Sequence, residues 1–317
     1  MNVASNFALP ATKAGFAFLC EAIPLSPCED ALASVRVRSL LSARDGVYEA
    51  VDAVKMARTF IGLHNDVAFA LGAPFAAFAC FRAADSGGDF LLADGRAVLA
   101  ELSPEVLSTL CARRLRLRVA RLDAPPLRLV PPPLRPPIAH AARAVLGAAV
   151  PLDLDVRWSG GEDGDSDGVA LEIYEPAKPP VNRHPLTGEP TFFSGIHSQS
   201  HHLQARRAAD GFDGLGASDV FYGDDFSPIA PHTLEHIEEV VSAETVRVAM
   251  REGDVVLLDS YQALHGRDVF DGPREHGVLW LREPEGSTQR GESAPQASGS
   301  GDSPRGSASR AAAVDYK

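Results

Sequence analysis

GDVVLLDSYQALHGRDVFDGPR, residues 253–274, is the stretch on which the reading of this chain turns. A turn at Gly253–Asp254 leads into an apolar strand, Val255 to Leu258. A second turn at Asp259–Ser260 opens a second short strand that ends at His265. The pair of strands delivers an imidazole to a strand end, where a ligand can reach it. Arg274 follows nine residues later, after FDGP. From a neighbouring strand its planar guanidinium could grip a carboxylate through two parallel hydrogen bonds, which an ammonium cannot do. The plainer alternative is a histidine near a turn and a surface arginine.

Upstream, FIGLHNDVAFAL (60–71) places His64 and Asp66 two residues apart. On a strand, positions i and i+2 share a face, so an imidazole and a carboxylate would stand side by side. They supply two of the three ligands of the two-histidine, one-carboxylate site that holds non-haem Fe(II) and leaves coordination positions open. With ten histidines and 42 acidic residues in 317, about one such spacing is expected by chance, so the motif is weak alone. A third ligand must come from a distant strand, and His265 is the candidate.

Around these segments the chain reads as mainly β with flanking helices. SPEVLSTLCARRL (103–115) has Ser103 as N-cap and Pro104 at the first helical position. IAHAARAVLGAAV (138–150) is alanine-rich and helical, while VALEIYEP (169–176) alternates with the strand period. PPLRLVPPPLRPP (125–137) carries seven prolines, which predict a loop or extended connector rather than a helix or an inner strand. GGEDGDSDG (160–168) lacks the ligand spacing and closing glutamate of a calcium loop and reads as a hairpin loop. Residues 283–317 contain no Leu, Ile or Phe and are dense in Ser, Gly and Pro. They are expected to be a disordered tail behind a single domain spanning 1–282.

Composition bounds the function. An apolar content of 45% fits a protein with a sizeable core. The net charge of −12 argues against nucleic-acid binding. No apolar run is long enough to span a membrane. Four cysteines without a CxxC pair read as free thiols. The first residues lack a basic region followed by an apolar one, so no secretory signal is expected and a cytoplasmic location is.

Four segments together carry a more specific likeness: LHNDVAFALGAPFAAFACFRAADSGGDFLLADGR (63–96), VNRHPLTGEPTFFSGIH (181–197), VFYGDDFSPIAPHTLEHI (220–237) and the stretch 253–274. In content and order they resemble the TauD/TfdA family of Fe(II)- and 2-oxoglutarate-dependent oxygenases, near its SyrP-like branch. The resemblance implies a clavaminate-synthase-like double-stranded β-helix, or jelly roll. It implies Fe(II) on His64, Asp66 and His265, with Arg274 on the distal carboxylate of 2-oxoglutarate. It further implies O2 as co-reactant and hydroxylation of a small polar or amino-acid-like metabolite. His197 and Asn65 become candidate substrate contacts. Two departures stand out. Phe90 occupies a position where the family usually has a threonine that contacts 2-oxoglutarate. The carboxylate at 66 is Asp where this branch often has Glu, and its presence speaks against halogenation.

Two other readings remain beside this one. A relative could keep the jelly roll and bind without turnover. HTLEH (232–236) also matches the H-x-x-E-H zinc signature of inverted peptidases. On a helix, however, Leu234, Ile237 and Val241 form an apolar stripe, leaving His232 and His236 on a solvated face. His201 and His202 lie near His197 but have no matching carboxylate. The sequence does not indicate an oligomeric state.

Overall fold

The computed structural model describes residues 12–21, 25–28, 40–42, 47–50, 56–65, 74–149, 153–160, 169–209 and 218–283. Asp66, most of the acidic glycine-rich stretch (161–168) and everything beyond Glu283 lie outside them.

Two antiparallel sheets form the frame of the site. The larger has the order Val255–Asp259, Phe75–Arg82, Glu275–Arg282, Val47–Glu49 and Leu40–Ser42. Ser26–Cys28 pairs with the far end of Glu275–Arg282. The smaller has the order Val246–Val248, Phe90–Asp94, Ala263–Arg267 and Ile61–His64. The two strands expected around Asp259–Ser260 are both present. They belong to different sheets, so the turn between them is a corner between sheets and not a hairpin.

Strand periodicity explains the layering. On Phe75–Arg82, Ala76, Phe78 and Cys80 face one way and join Phe90 and Leu92 of the smaller sheet in a single buried cluster. That cluster fills the space between the sheets. Ala77, Ala79 and Phe81 face the other way, where Phe16 and Cys20 of the helix Lys13–Glu21 cover them. The outer face of the smaller sheet, through Leu63, Leu91 and Leu264, packs with Leu110 of the helix Pro104–Arg113 and with Leu234, Ile237 and Val241 of Pro231–Ala243. Both sheets are therefore buried on both faces, which accounts for their near-continuous apolar strands.

A third antiparallel sheet, Asp219–Tyr222, Leu115–Leu122, Ala170–Tyr174 and Asp155–Ser159, stands beside these two in the chain. The strands flanking the acidic glycine-rich stretch pair with Ala170 opposite Ser159, as a hairpin requires. The proline-rich segment departs from its expectation. Pro125–Arg128 forms a helical turn, Pro132–Leu134 a 3-10 turn, and Pro136 and Pro137 sit in the first turn of the helix Arg135–Ala149. Proline is tolerated there because the first N–H groups of a helix have no intrahelical acceptor. Seven prolines thus mark helix starts, not a uniformly extended connector. Ser103 caps its helix as expected, accepting from the Val106 N–H at 3.3 Å.

Candidate active site

His64 and His265 end up directly opposite each other in the register of the smaller sheet. Directly opposed residues of an antiparallel pair point to the same face. The two imidazole centroids are 4.7 Å apart. A one-residue irregularity between His265 and Arg267 separates this pair from the next, Arg267 opposite Ile61. The rings turn towards the space between the sheets, where Phe78 and Phe90 pack on His265 at 5.1 and 6.0 Å. His64 donates from Nδ1 to the Gly62 carbonyl at 2.9 Å, which fixes the orientation of its ring. An imidazole oriented in this way by a backbone carbonyl is a prepared metal ligand.

Both histidines line a cleft of about 460 Å³ together with Phe90, Arg267, Arg274 and His276. Arg274 reaches this cleft past Gly88. A Cβ at Gly88, which has φ of 75°, would come within 3.2 Å of the Arg274 Nε. Arg274 is buried and hydrogen-bonds through Nη2 to His276 Nδ1 at 2.9 Å. Burial, with Arg274 and Arg267 adding to it, pushes the His276 pKa down from 6.5 to about 2. A neutral ring can accept from Arg274 and so fix its guanidinium plane. Arg267 donates from Nη2 to the carbonyls of Met56 and Thr59, both at 2.8 Å.

A second cleft, of about 630 Å³, opens on the other side of His64 and is also lined by Asn65, Arg116, Glu175, Lys178 and Gln199. Asn65 is a brace. Its Oδ1 accepts from the Ser194 N–H, and its Nδ2 donates to the carbonyls of Ser260 and Ala263. It ties the end of the His64 strand to the corner between the sheets, so its amide is committed to backbone although it lines the cleft.

His197, expected as a substrate contact, lines neither cleft. The helix Ile196–Gln199 packs so closely on the His64 strand that a Cβ at Gly62 would meet the His197 carbonyl at 2.5 Å. The buried His197 ring accepts at Nδ1 from the Leu63 N–H at 2.8 Å and faces Glu238 from Nε2 at 3.2 Å. Arg207 closes the group, bonding the His197 carbonyl and Glu238. Burial lowers the His197 pKa although Glu238 works against it. His197 thus supports the His64 strand from behind.

The zinc-peptidase reading fails on geometry. Among the described residues no group of three or more His, Cys, Asp or Glu could hold a metal. His236 is not solvated as expected; it is half-buried and its Nε2 accepts from the Ser103 N–H at 3.0 Å. Glu235 pairs with His202 and Arg206, while His232 is exposed. For His64 and His265, the third ligand expected from the sequence, Asp66, lies outside the described residues.

A match to the family described as taurine catabolism dioxygenase TauD, TfdA family runs over residues 6–280. The chain belongs to this family. No curated protein sequence matches this TauD/TfdA member. Among solved structures it is similar to PvcB, an Fe, alpha-ketoglutarate dependent oxygenase from an isonitrile synthetic pathway, at 15% identity over 87% of this chain and 73% of that one, with a TM-score of 0.45. It is similar to an asparagine oxygenase in complex with Fe(II), 2S,3S-3-hydroxyasparagine and succinate at 15% identity, covering 74% of this chain and 56% of that one, with a TM-score of 0.43. The non-heme iron oxygenase OrfP in complex with (3S)-hydroxy-L-Arg is similar at 15% identity over 86% of this chain and 66% of that one, with a TM-score of 0.43.

His276, Glu175 and Lys178 were not singled out by the sequence. His276 had a signal: it lies two residues after Arg274, the same-face spacing of a strand. The others had none, because nothing in a single sequence tells which glutamate or lysine a fold will turn inward.

Proposed function

We propose that this TauD/TfdA member is an Fe(II)- and 2-oxoglutarate-dependent dioxygenase that hydroxylates a small polar or amino-acid-like metabolite on a double-stranded β-helix nearest the SyrP-like branch. The observation that carries the reading is the convergence of His64, His265 and Arg274 on one cleft. Two imidazoles and a carboxylate suit Fe(II) with positions left open, so His64, His265 and Asp66 would hold it. Held there, the metal would supply, with 2-oxoglutarate and O2, the oxidising power for C–H hydroxylation, with succinate and CO2 as the co-products.

The chain's own residues do the rest. Arg274 takes the distal carboxylate of 2-oxoglutarate by charge-assisted hydrogen bonds, with its plane fixed by neutral His276. Phe78 and Phe90 keep water from the His265 ring. His197, Glu238 and Asn65 hold the His64 strand in place. The larger cleft on the far side of His64 receives the substrate. The test is Fe(II)-dependent conversion of 2-oxoglutarate to succinate by wild type and by His265→Ala. Conversion that persisted in the variant would sink the reading. Iron binding without any succinate would favour a relative that binds without turnover.

A further inference from the structure

We propose that the larger cleft binds a free α-amino acid, with Glu175 taking its ammonium group and Lys178 its carboxylate; the assignment rests on the oxygenase reading for the reaction that follows binding. The walls of this cleft are mostly apolar, among them Leu115, Leu117, Phe193, Ile196 and Val220. Glu175 and Lys178 interrupt them. Glu175 is almost wholly buried, its side chain only 4% exposed, and its Oε2 lies 2.6 Å from the Lys178 Nζ. Burial raises the Glu175 pKa while Lys178 lowers it. The carboxylate therefore depends on a cation beside it to keep its charge.

The backbone fixes this arrangement. Glu175 N–H donates to the Leu117 carbonyl at 2.9 Å, and Leu115 and Lys178 exchange both backbone hydrogen bonds at 2.8 Å. Glu175-Pro176-Ala177-Lys178 is thus a short bulge pinned at both ends to the strand Leu115–Leu122. Glu175 cannot withdraw. Lys178 can, because its side chain is 32% exposed on a flexible stem.

A fixed anion and a movable cation match a zwitterion. An incoming ammonium group can replace Lys178 on Glu175, and the released ammonium of Lys178 can follow the incoming carboxylate. Charges stay balanced in an apolar cleft, where an uncompensated charge would be costly. A neutral molecule would gain nothing from these groups, and a dicarboxylate would meet Glu175.

The test is calorimetric titration of the full chain, with and without anaerobic Fe(II) and 2-oxoglutarate, against the twenty common L-α-amino acids. Each binder is then compared with its N-acetyl and C-amide forms. At least one free amino acid should bind, and blocking either end should weaken it by about tenfold or more. Glu175→Gln should weaken the free amino acid but not its N-acetyl form, and Lys178→Met should weaken it but not its amide. Binding by none of the twenty overturns the proposal, as does equal affinity for the blocked forms in wild type. So does a variant that weakens free and blocked ligands alike, since that marks a structural ion pair. Binding with the expected pattern but without succinate would retain this site and refute the oxygenase reading.

Discussion

The two clefts share His64 and are built in opposite ways. In the smaller, His265, Arg267, Arg274 and His276 all come from twelve consecutive positions, 265–276, joined by His64 and Phe90. These charged groups are buried and locked: Arg274 on His276, Arg267 on two carbonyls. In the larger, the lining comes from 115–117, 175–176, 178–179, 193–196, 199 and 220 as well as His64 and Asn65. Its charges neutralise each other, and one of them sits on a partly exposed, flexible side chain. A locked arrangement suits one unvarying ligand that must be held in a single pose. An internally compensated one suits a ligand that brings its own charges.

Removing a metal ligand should break this contrast most severely. His265→Ala is expected to abolish Fe(II)-dependent succinate formation, a larger loss than the roughly 10–100-fold that follows removal of a partner outside the coordination sphere. Binding of ligands to the larger cleft by calorimetry should change little. Parallel loss at both clefts would show that they are not separate. Next in size is Arg274→Lys. Charge-assisted bonds are worth about 1.5–3 kcal/mol each, so losing one of a bidentate pair should raise the apparent 2-oxoglutarate constant by roughly 10- to 100-fold. An unchanged constant would remove Arg274 as the anchor and shift attention to Arg267.

Phe90 sharpens the comparison in a different way. As a sequence departure it predicts only a missing hydroxyl contact. In the fold it is buried between the sheets against Phe78 and His265. Phe90→Thr should therefore cost about 3 kcal/mol of stability, read as a lower denaturant midpoint. A stable Phe90→Thr variant with tighter 2-oxoglutarate binding would mean that the ring obstructs the cleft and does not support it.

His276 gives a pH signature of the smaller cleft. Its folded pKa is about 2, against an ordinary 6.5. Below pH 6.5 the unfolded chain takes up a proton that the folded one refuses, so stability falls with pH by about 1.4 kcal/mol per unit. Thermal melts at pH 7.5 and 5.5 should differ less for His276→Asn than for wild type. Equal differences would mean that the ring is not held neutral. The smallest effect belongs to the H-x-x-E-H helix. His236→Ala should lose about 1 kcal/mol with its Ser103 hydrogen bond, and His232→Ala almost nothing, with metal content unchanged in both.

Legibility followed the same division. The strand character of 255–258 and 263–265 and the cap at Ser103 were readable because local periodicity and spacing carry them, whereas the expectation that His64 and His265 meet rested on the family resemblance. That Asp259–Ser260 is a corner between sheets was not readable, since strand partners are set by distant packing. The helical turns in 125–137 were missed because proline was read as a breaker where it serves as a helix start. His236 was placed on solvent because the apolar stripe of one helix says nothing about a neighbour's cap. The larger cleft stayed invisible because its residues share no local pattern and meet only through the third sheet.

The most direct measurement is anaerobic titration of the protein with Fe(II) and then 2-oxoglutarate, followed in the visible spectrum. Wild type should develop the weak charge-transfer band of the chelate, Arg274→Lys should need far more 2-oxoglutarate to reach it, and His265→Ala should not develop it. A band in His265→Ala equal to that of wild type, or no band in wild type at saturating 2-oxoglutarate, would contradict the assignment of this cleft.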